Sequence, residues 1–253
     1  MSINCIRTLL EDSAISHGEK TAVVFNEKSI TYEDLLKKAN QVAFYLKELD
    51  LPKGSRIGVY SNKGIDQVIA ILAILSTDYV LVPLTKLLKS EQVEYIINDC
   101  DIKCIITDKL KLESIEEIKF AGHIVSYETA HKDIASFEEI YKYYNKPFNC
   151  EVSGHDNAII TYSFGLTGQP KGIVISHRNL IDSARVVSKY LDLKDQMLAW
   201  GREINWYPSH MRNRYENWVN GLQWDWCISR QIYFGIPFPV WYCKECDEVI
   251  FAR

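Results

Sequence analysis

Between Thr161 and Gly172 the chain reads TYSFGLTGQPKG, which crowds three glycines, several hydroxyls, a proline and a lysine into twelve residues. Glycines let backbone amides turn inward around an anion without obstruction by side chains. Lys171 adds a mobile positive charge. The three glycines, Gly165, Gly168 and Gly172, with Lys171 and the hydroxyls beside them, suit a polyphosphate. The spacing is not that of a Walker loop, because no glycine directly precedes the lysine and no helix is expected to start there. A plain glycine-rich hairpin turn accounts for the same residues, and composition does not separate the two readings. A second cluster lies near the end, where Cys243-Lys-Glu-Cys246 has the spacing of half a zinc knuckle. Structural zinc takes four ligands. Cys227 and His210 are the nearest that could complete a set, and two free thiols on a turn explain the pair as well.

Other reactive residues fit simpler roles. His177 follows a predicted strand and reads as the first residue of a helix rather than as a base. Glu116-Glu117 and Glu138-Glu139 read as solvated faces. Arg212, Arg214 and Arg230 stand among aromatics, which fits core and ion-pair positions better than an RNA contact. No Ser/His/Asp arrangement follows from the spacing.

The elements that must position the glycine segment alternate between strand and helix. Ala22–Phe25 and Ser29–Thr31 flank Asn26–Lys28 as a short hairpin. Thr31 begins a T-x-x-D cap with Asp34, and Leu35, Ala39, Val42, Leu46 and Leu49 then recur at helical spacing. Pro52-Lys-Gly54 ends that helix. Strands are predicted at Arg56–Tyr60, Tyr79–Leu84, Lys103–Thr107 and His123–Tyr127, with helices at Asp66–Leu75 and Ser90–Asn98. Strands separated by helices imply crossovers, hence an α/β fold with a largely parallel sheet and flanking helices. Ala158–Ser163 and Gly172–Ser176 are apolar strands on either side of the glycine segment, which should join two adjacent strands. His177 to Leu193 is a predicted helix, with Leu180, Ala184, Val187 and Leu191 on one face.

Whole-chain properties set bounds. The 253 residues are 47% hydrophobic and 25% charged, with a formal net charge of -4, so overall charge gives no case for nucleic acid. The seven cysteines are an odd number and mostly scattered, and no secretory leader is evident, so a reducing cytoplasm is the expected compartment. The apolar run Val68–Leu75 is too short for a membrane span. Composition changes sharply near residue 195. All six tryptophans lie beyond it, and basic usage shifts from 19 Lys and 4 Arg before it to 1 Lys and 5 Arg after it. Two domains are expected, residues 1–195 and 196–253, the second a short aromatic-rich segment.

Residues from 5 to about 193 resemble the N-terminal part of the AMP-forming acyl-CoA synthetase and adenylation-domain superfamily. Ser163, Gly165, Thr167, Gly168, Pro170, Lys171 and Gly172 match that family's phosphate loop. Leu72-Ala-Ile-Leu-Ser-Thr-Asp-Tyr-Val-Leu-Val-Pro-Leu84 and Thr31-Tyr-Glu-Asp-Leu35 resemble two earlier segments. The resemblance implies a loop that wraps the phosphates of ATP, with Mg2+, and an enzyme that joins a carboxylic acid to AMP before passing it to CoA as a thioester. Phe164 and Leu166 depart from the pattern, standing where hydroxyl residues are usual. Each forgoes a hydrogen bond to a charged oxygen worth about 1.5–3 kcal/mol. The family's later segments and its catalytic lysine have no counterpart after residue 195.

Residues from about Glu203 onward resemble an internal segment of class I valyl-tRNA synthetase. The matching runs are Trp206-Tyr-Pro-Ser-His-Met-Arg-Asn-Arg-Tyr-Glu-Asn-Trp218, Trp224-Asp-Trp-Cys-Ile-Ser-Arg-Gln231 and Phe234-Gly-Ile-Pro-Phe-Pro-Val-Trp241. In that family the segment leads from the editing insertion back to the catalytic core. Neither nucleotide-binding signature of the class is present here, so tRNA is not an expected partner, and half a knuckle at Cys243 and Cys246 does not hold zinc unaided. The leading reading is an AMP-forming ligase present as a truncated, inactive chimera; the alternatives are a persisting acyl or aminoacyl ligase, a valyl-tRNA synthetase fragment, a non-catalytic nucleotide-binding remnant, or a chimeric reading frame without an evolved function.

Overall fold

The computed structural model describes residues 5–129, 134–144, 148–163, 170–221, 240–242 and 249–251. The chain divides into two compact units, residues 1–183 and 184–253.

The first unit opens with helix α1 (Ile6–His17) and the hairpin β1 (Thr21–Phe25) and β2 (Lys28–Thr31). Asn26 turns the hairpin with φ of 54°, a left-handed conformation that asparagine tolerates. Helix α2 (Tyr32–Glu48) begins as its cap predicts, with the Thr31 hydroxyl accepting from the Asp34 amide at 3.2 Å. Strand β3 (Arg56–Tyr60), helix α3 (Ile65–Leu75), strand β4 (Val80–Leu84), helix α4 (Ser90–Asp99), strand β5 (Ile102–Thr107), helix α5 (Lys109–Ile118) and strand β6 (His123–Ser126) then alternate. Short β7 (Ala135–Ser136) and α6 (Phe137–Tyr143) lead to strands β8 (Asn157–Ser163) and β9 (Lys171–Ser176), and helix α7 (His177–Glu203) follows.

One sheet of seven strands runs β7-β6-β5-β3-β4-β8-β9. Every neighbouring pair is parallel except β8 with β9, which is antiparallel. This is the predicted α/β architecture. Its central strands β3, β4 and β5 are buried on both faces, as crossover helices require. Ile57, Val59, Leu81, Cys104 and Ile106 point to one face, packing with Ala39, Val42 and Leu46 of α2 and Ile69 and Ala73 of α3. Tyr60, Val82, Leu84 and Ile105 point to the other, with Val93 and Ile96 of α4 and Ile115 of α5. The alternation is the period-two pattern of a strand. Burial pushes the Cys104 thiol up to about 12, as befits a core residue. Among the described residues Cys5, Cys100, Cys104 and Cys150 are all free thiols, and no helix is long and apolar enough to cross a membrane.

Helices α1, α5 and α6 were not predicted. α5 is capped by Asp108, whose carboxylate accepts from the Lys111 amide at 2.9 Å. α6 has a capping box in which Ser136 and Glu139 serve one another, so Glu139, although exposed, does more than solvate a face. A further difference concerns α7, which continues ten residues past its predicted end at Leu193. Gln196, Met197, Leu198 and Ala199 are good helix formers, and no glycine or proline interrupts the run from 194 to 200. The compositional break at residue 195 therefore falls inside a continuous helix.

The second unit contains the later part of α7, helix α8 (Met211–Gly221) and a strand pair, β10 (Val240–Tyr242) and β11 (Val249–Phe251). The two helices are joined by aromatic contacts. The Trp206 indole nitrogen donates to the Gly201 carbonyl at 2.6 Å, and its ring lies 5.1 Å from that of Tyr215. The Tyr215 hydroxyl donates to the Met197 carbonyl at 3.0 Å. Gly201 is required for this contact, since any Cβ there would come within 2.3 Å of the Tyr215 ring. Trp200, Tyr207 and Trp218 remain exposed.

Two outcomes follow. Ile106→Ala, at a fully buried site in the centre of the sheet, should lower unfolding free energy by about 2–5 kcal/mol, read as a reduced urea midpoint with unchanged slope. Brief proteinase K digestion should cut first between residues 204 and 210, a non-helical and mostly exposed connection. A first cut within 177–203 would contradict a continuous α7.

Candidate functional site

The glycine segment joins two neighbouring strands, as its flanking apolar runs predict. β8 and β9 pair in register with Ser163 opposite Lys171 and Tyr162 opposite Gly172. Because β8 runs parallel to β4, Ser163 lies at the carboxyl edge of the sheet, the edge where open α/β sheets bind ligands. Ser163, Lys171 and Gly172 are all exposed there. The structure thus places a hydroxyl and an ammonium group on paired positions at the mouth of the hairpin, a donor set suited to phosphate oxygens. Gly165, Thr167 and Gly168, with Phe164 and Leu166, lie outside the described residues.

A second feature of the same edge escaped the sequence reading. β4 and β5 lie on opposite sides of β3 although they follow it in sequence, so the carboxyl ends of β3 and β5 form a topological switch point. Ligand clefts at such points run to roughly 300–1,000 Å³; here the cleft measures ≈ 630 Å³ and is lined by Asn62, Lys63, Asp66, Asp108, Tyr127 and Glu128, among others. Asp108 ties the two strand ends together, its Oδ2 accepting from the Asn62 amide at 2.6 Å and from Asn62 Nδ2 at 2.9 Å. Tyr127 shares a 2.8 Å hydrogen bond with Ser61. Burial, aided by the charge of Glu128, pushes the Asp66 carboxyl above its ordinary range. The available signal was Asp108 as a cap residue before an unrecognised helix.

His177 is the first residue of α7 and fully buried. Its Nδ1 accepts from the Ile6 amide at 3.4 Å, and its own amide donates to the Asp156 carbonyl at 3.2 Å. It is a structural helix-start residue. Glu116 and Glu117 are exposed, as predicted. Arg212 pairs with Glu216 at 3.0 Å, which agrees with an ion-pair role. Cys227, Arg230, Cys243 and Cys246 lie outside the described residues. Among the described residues no group of three or more His, Cys, Asp or Glu side chains is placed to hold a metal ion.

Comparison with known proteins fits this arrangement. The family model for AMP-binding enzymes matches residues 10–203, and the chain belongs to that family. The solved anthranilate CoA ligase AuaEII, in complex with anthranoyl-AMP, is 25% identical, with a TM-score of 0.65 over 79% of this chain and 38% of that one. A long-chain-fatty-acid-CoA ligase from Archaeoglobus fulgidus shares the fold, with 24% identity and a TM-score of 0.65 over 72% of this chain and 38% of its own. A separate likeness is to the valine–tRNA ligase of Thermoplasma volcanium, 62% identical over 64 residues, which is 25% of this chain and 8% of that protein. The chain thus spans a small part of the curated relatives and under two-fifths of these two structures. Fewer than 64 residues follow residue 203, so the valine–tRNA ligase match, wherever it lies, overlaps the span of the family model.

The buried histidine gives a pH dependence with a definite sign. Desolvation lowers the His177 pKa from its ordinary value, against a smaller opposing effect of Asp156. The unfolded chain therefore binds the proton more readily. Stability contributed by neutral His177 is present above the unfolded value of about 6.5 and is lost as pH falls through the lower folded value. Urea midpoints should fall between pH 7.5 and pH 5, and His177→Asn should flatten that decline. An undiminished decline in the variant would contradict the assignment.

Proposed function

We propose that the first unit is the phosphate-holding part of an adenylate-forming ligase, a protein that activates acyl or aryl acids with ATP and passes them to CoA. The observation that carries this reading is the register of the hairpin, which puts Ser163 beside Lys171 at the carboxyl edge of a parallel sheet in a chain of the AMP-binding family. Ser163, Gly165, Thr167, Gly168, Lys171 and Gly172 are the residues proposed to hold the phosphates. ATP supplies the leaving pyrophosphate that makes the acid reactive. Lys171 would bind and orient the outer phosphates, and the Ser163 hydroxyl would donate to a phosphate oxygen. Mg2+ would be held largely by phosphates and water, its usual mode, which suits a site with no metal cluster among the described residues.

The 253 residues by themselves are proposed to bind nucleotide without completing adenylation. That reaction needs both ends of ATP positioned and the charge developing on the α-phosphate stabilised. The residues that match the family supply the outer-phosphate end, and Phe164 and Leu166 weaken it. Division at 195/196 into a ligase part and a valyl-tRNA synthetase-like part is proposed on composition. tRNA binding is not proposed for that segment. Free thiols in the first unit support a reducing compartment, the cytoplasm, as its location.

Equilibrium dialysis should show MgATP binding near millimolar, about 4 kcal/mol, weakened about tenfold or more by Lys171→Ala, the scale of one charge-assisted hydrogen bond. Pyrophosphate exchange with fatty acids, aryl acids and amino acids including valine should stay at background. Exchange that requires Lys171 would show a competent ligase. Valine-dependent exchange indifferent to Lys171→Ala would assign activity to the later segment instead.

A further inference from the structure

Both limbs of the glycine segment are tied to the same helix. On the first limb, the Tyr162 hydroxyl donates to Asp99 Oδ2 at 2.5 Å. On the second, the Tyr95 hydroxyl donates to the Pro170 carbonyl at 3.4 Å. Tyr95 and Asp99 stand four residues apart on α4, hence on one face of the helix. The helix end is itself fixed to the sheet. Arg56 of β3 donates through Nε to the Cys100 carbonyl and pairs through Nη2 with Asp101 at 2.8 Å.

Gly172 has a part in this arrangement. A Cβ at that position would lie 3.1 Å from Ile160 Cγ2, 3.3 Å from Tyr162 Cζ and 3.4 Å from the Tyr162 hydroxyl. The cross-strand partner of Tyr162 is therefore a residue with no side chain, which leaves the ring room to lie across β9 while its hydroxyl reaches Asp99. Burial, with the hydrogen bond to Asp99 and the nearby Cys100 thiol, pushes the Tyr162 phenol upward, so it stays a neutral donor.

We infer that Tyr95 and Tyr162 are positioning residues: they clamp the two strand ends that flank the glycine segment to α4 and so fix the mouth of the hairpin at Ser163 and Lys171. Gly172 serves this clamp as much as it serves any bound phosphate. The inference rests on the proposed nucleotide site for its purpose, though the clamp can be measured without nucleotide. Ser163 and Lys171 are opposite one another, so a shift of either limb changes the spacing between hydroxyl and ammonium. Orientation of that pair is what a phosphate site needs.

The test uses the whole chain and two readouts: amide hydrogen exchange at Ser163 and Lys171, and MgATP affinity by dialysis. The combined Tyr95→Phe and Tyr162→Phe variant should exchange about tenfold faster at both amides, the scale of one hydrogen bond to a charged acceptor, and bind MgATP correspondingly more weakly. Asp99→Ala should behave like Tyr162→Phe. Asp99→Asn keeps an oxygen acceptor and should restore exchange to within about twofold of the parent. General loosening of α4 would make Asp99→Asn and Asp99→Ala alike, and that result overturns the inference. Unchanged exchange in the double variant overturns it too, even where MgATP binds as proposed. A parent chain that binds no MgATP but shows this exchange pattern removes the nucleotide reading and leaves the clamp standing.

Discussion

The reversal of chain direction between β8 and β9 is the constraint on which the rest of the site depends. Five crossovers build a parallel sheet whose carboxyl ends gather on one edge. Only after β8 joins β4 in that direction does the chain turn back upon itself. A parallel continuation needs a long crossover, whereas an antiparallel return can be made in a short loop. The short return keeps Ser163 and Lys171 together at the edge. It also leaves β9 at the margin of the sheet, with Ile173 and Val174 half exposed. Packing on the two faces sets where that edge stands: α2 and α3 on one side, α4 and α5 on the other, each contributing fully buried aliphatic side chains.

The legible parts of the sequence were those governed by local rules. The Thr31 cap, the apolar spacing of α2 and the β-branched runs of β3, β4 and β5 each depend on neighbours within a few residues. The structure reproduces them with shifts of one or two positions. The glycine segment was legible as a link between strands because apolar runs flank it on both sides. Less visible were features whose partner is distant in sequence. Asp108 reaches Asn62, Tyr162 reaches Asp99 and His177 reaches Ile6. No periodicity announces such contacts. α5 was hidden for a related reason: its cap is also the residue that joins β3 to β5, and its apolar face is carried by few residues, with Leu112 and Ile115 the buried ones.

The change of composition near residue 195 lies within a helix. Composition changes at residue 195, yet α7 passes that point without a break and ends at Glu203. Helix formation needs only local propensity and a continuous backbone ladder. A change of composition passes through a helix more readily than through a packed core, which requires side chains shaped against one another. Beyond α7, Trp206 and Tyr215 close a small helical hairpin with their own hydrogen bonds.

The most direct test of a phosphate site at the β8–β9 hairpin is to titrate MgATP into the labelled chain and follow individual backbone amides by nuclear magnetic resonance. The account predicts that Ser163, Lys171 and Gly172 shift together and saturate with one affinity, while residues 204–221 stay unmoved. Shifts confined to residues 204–221, or none at Lys171 at saturating nucleotide, would contradict it.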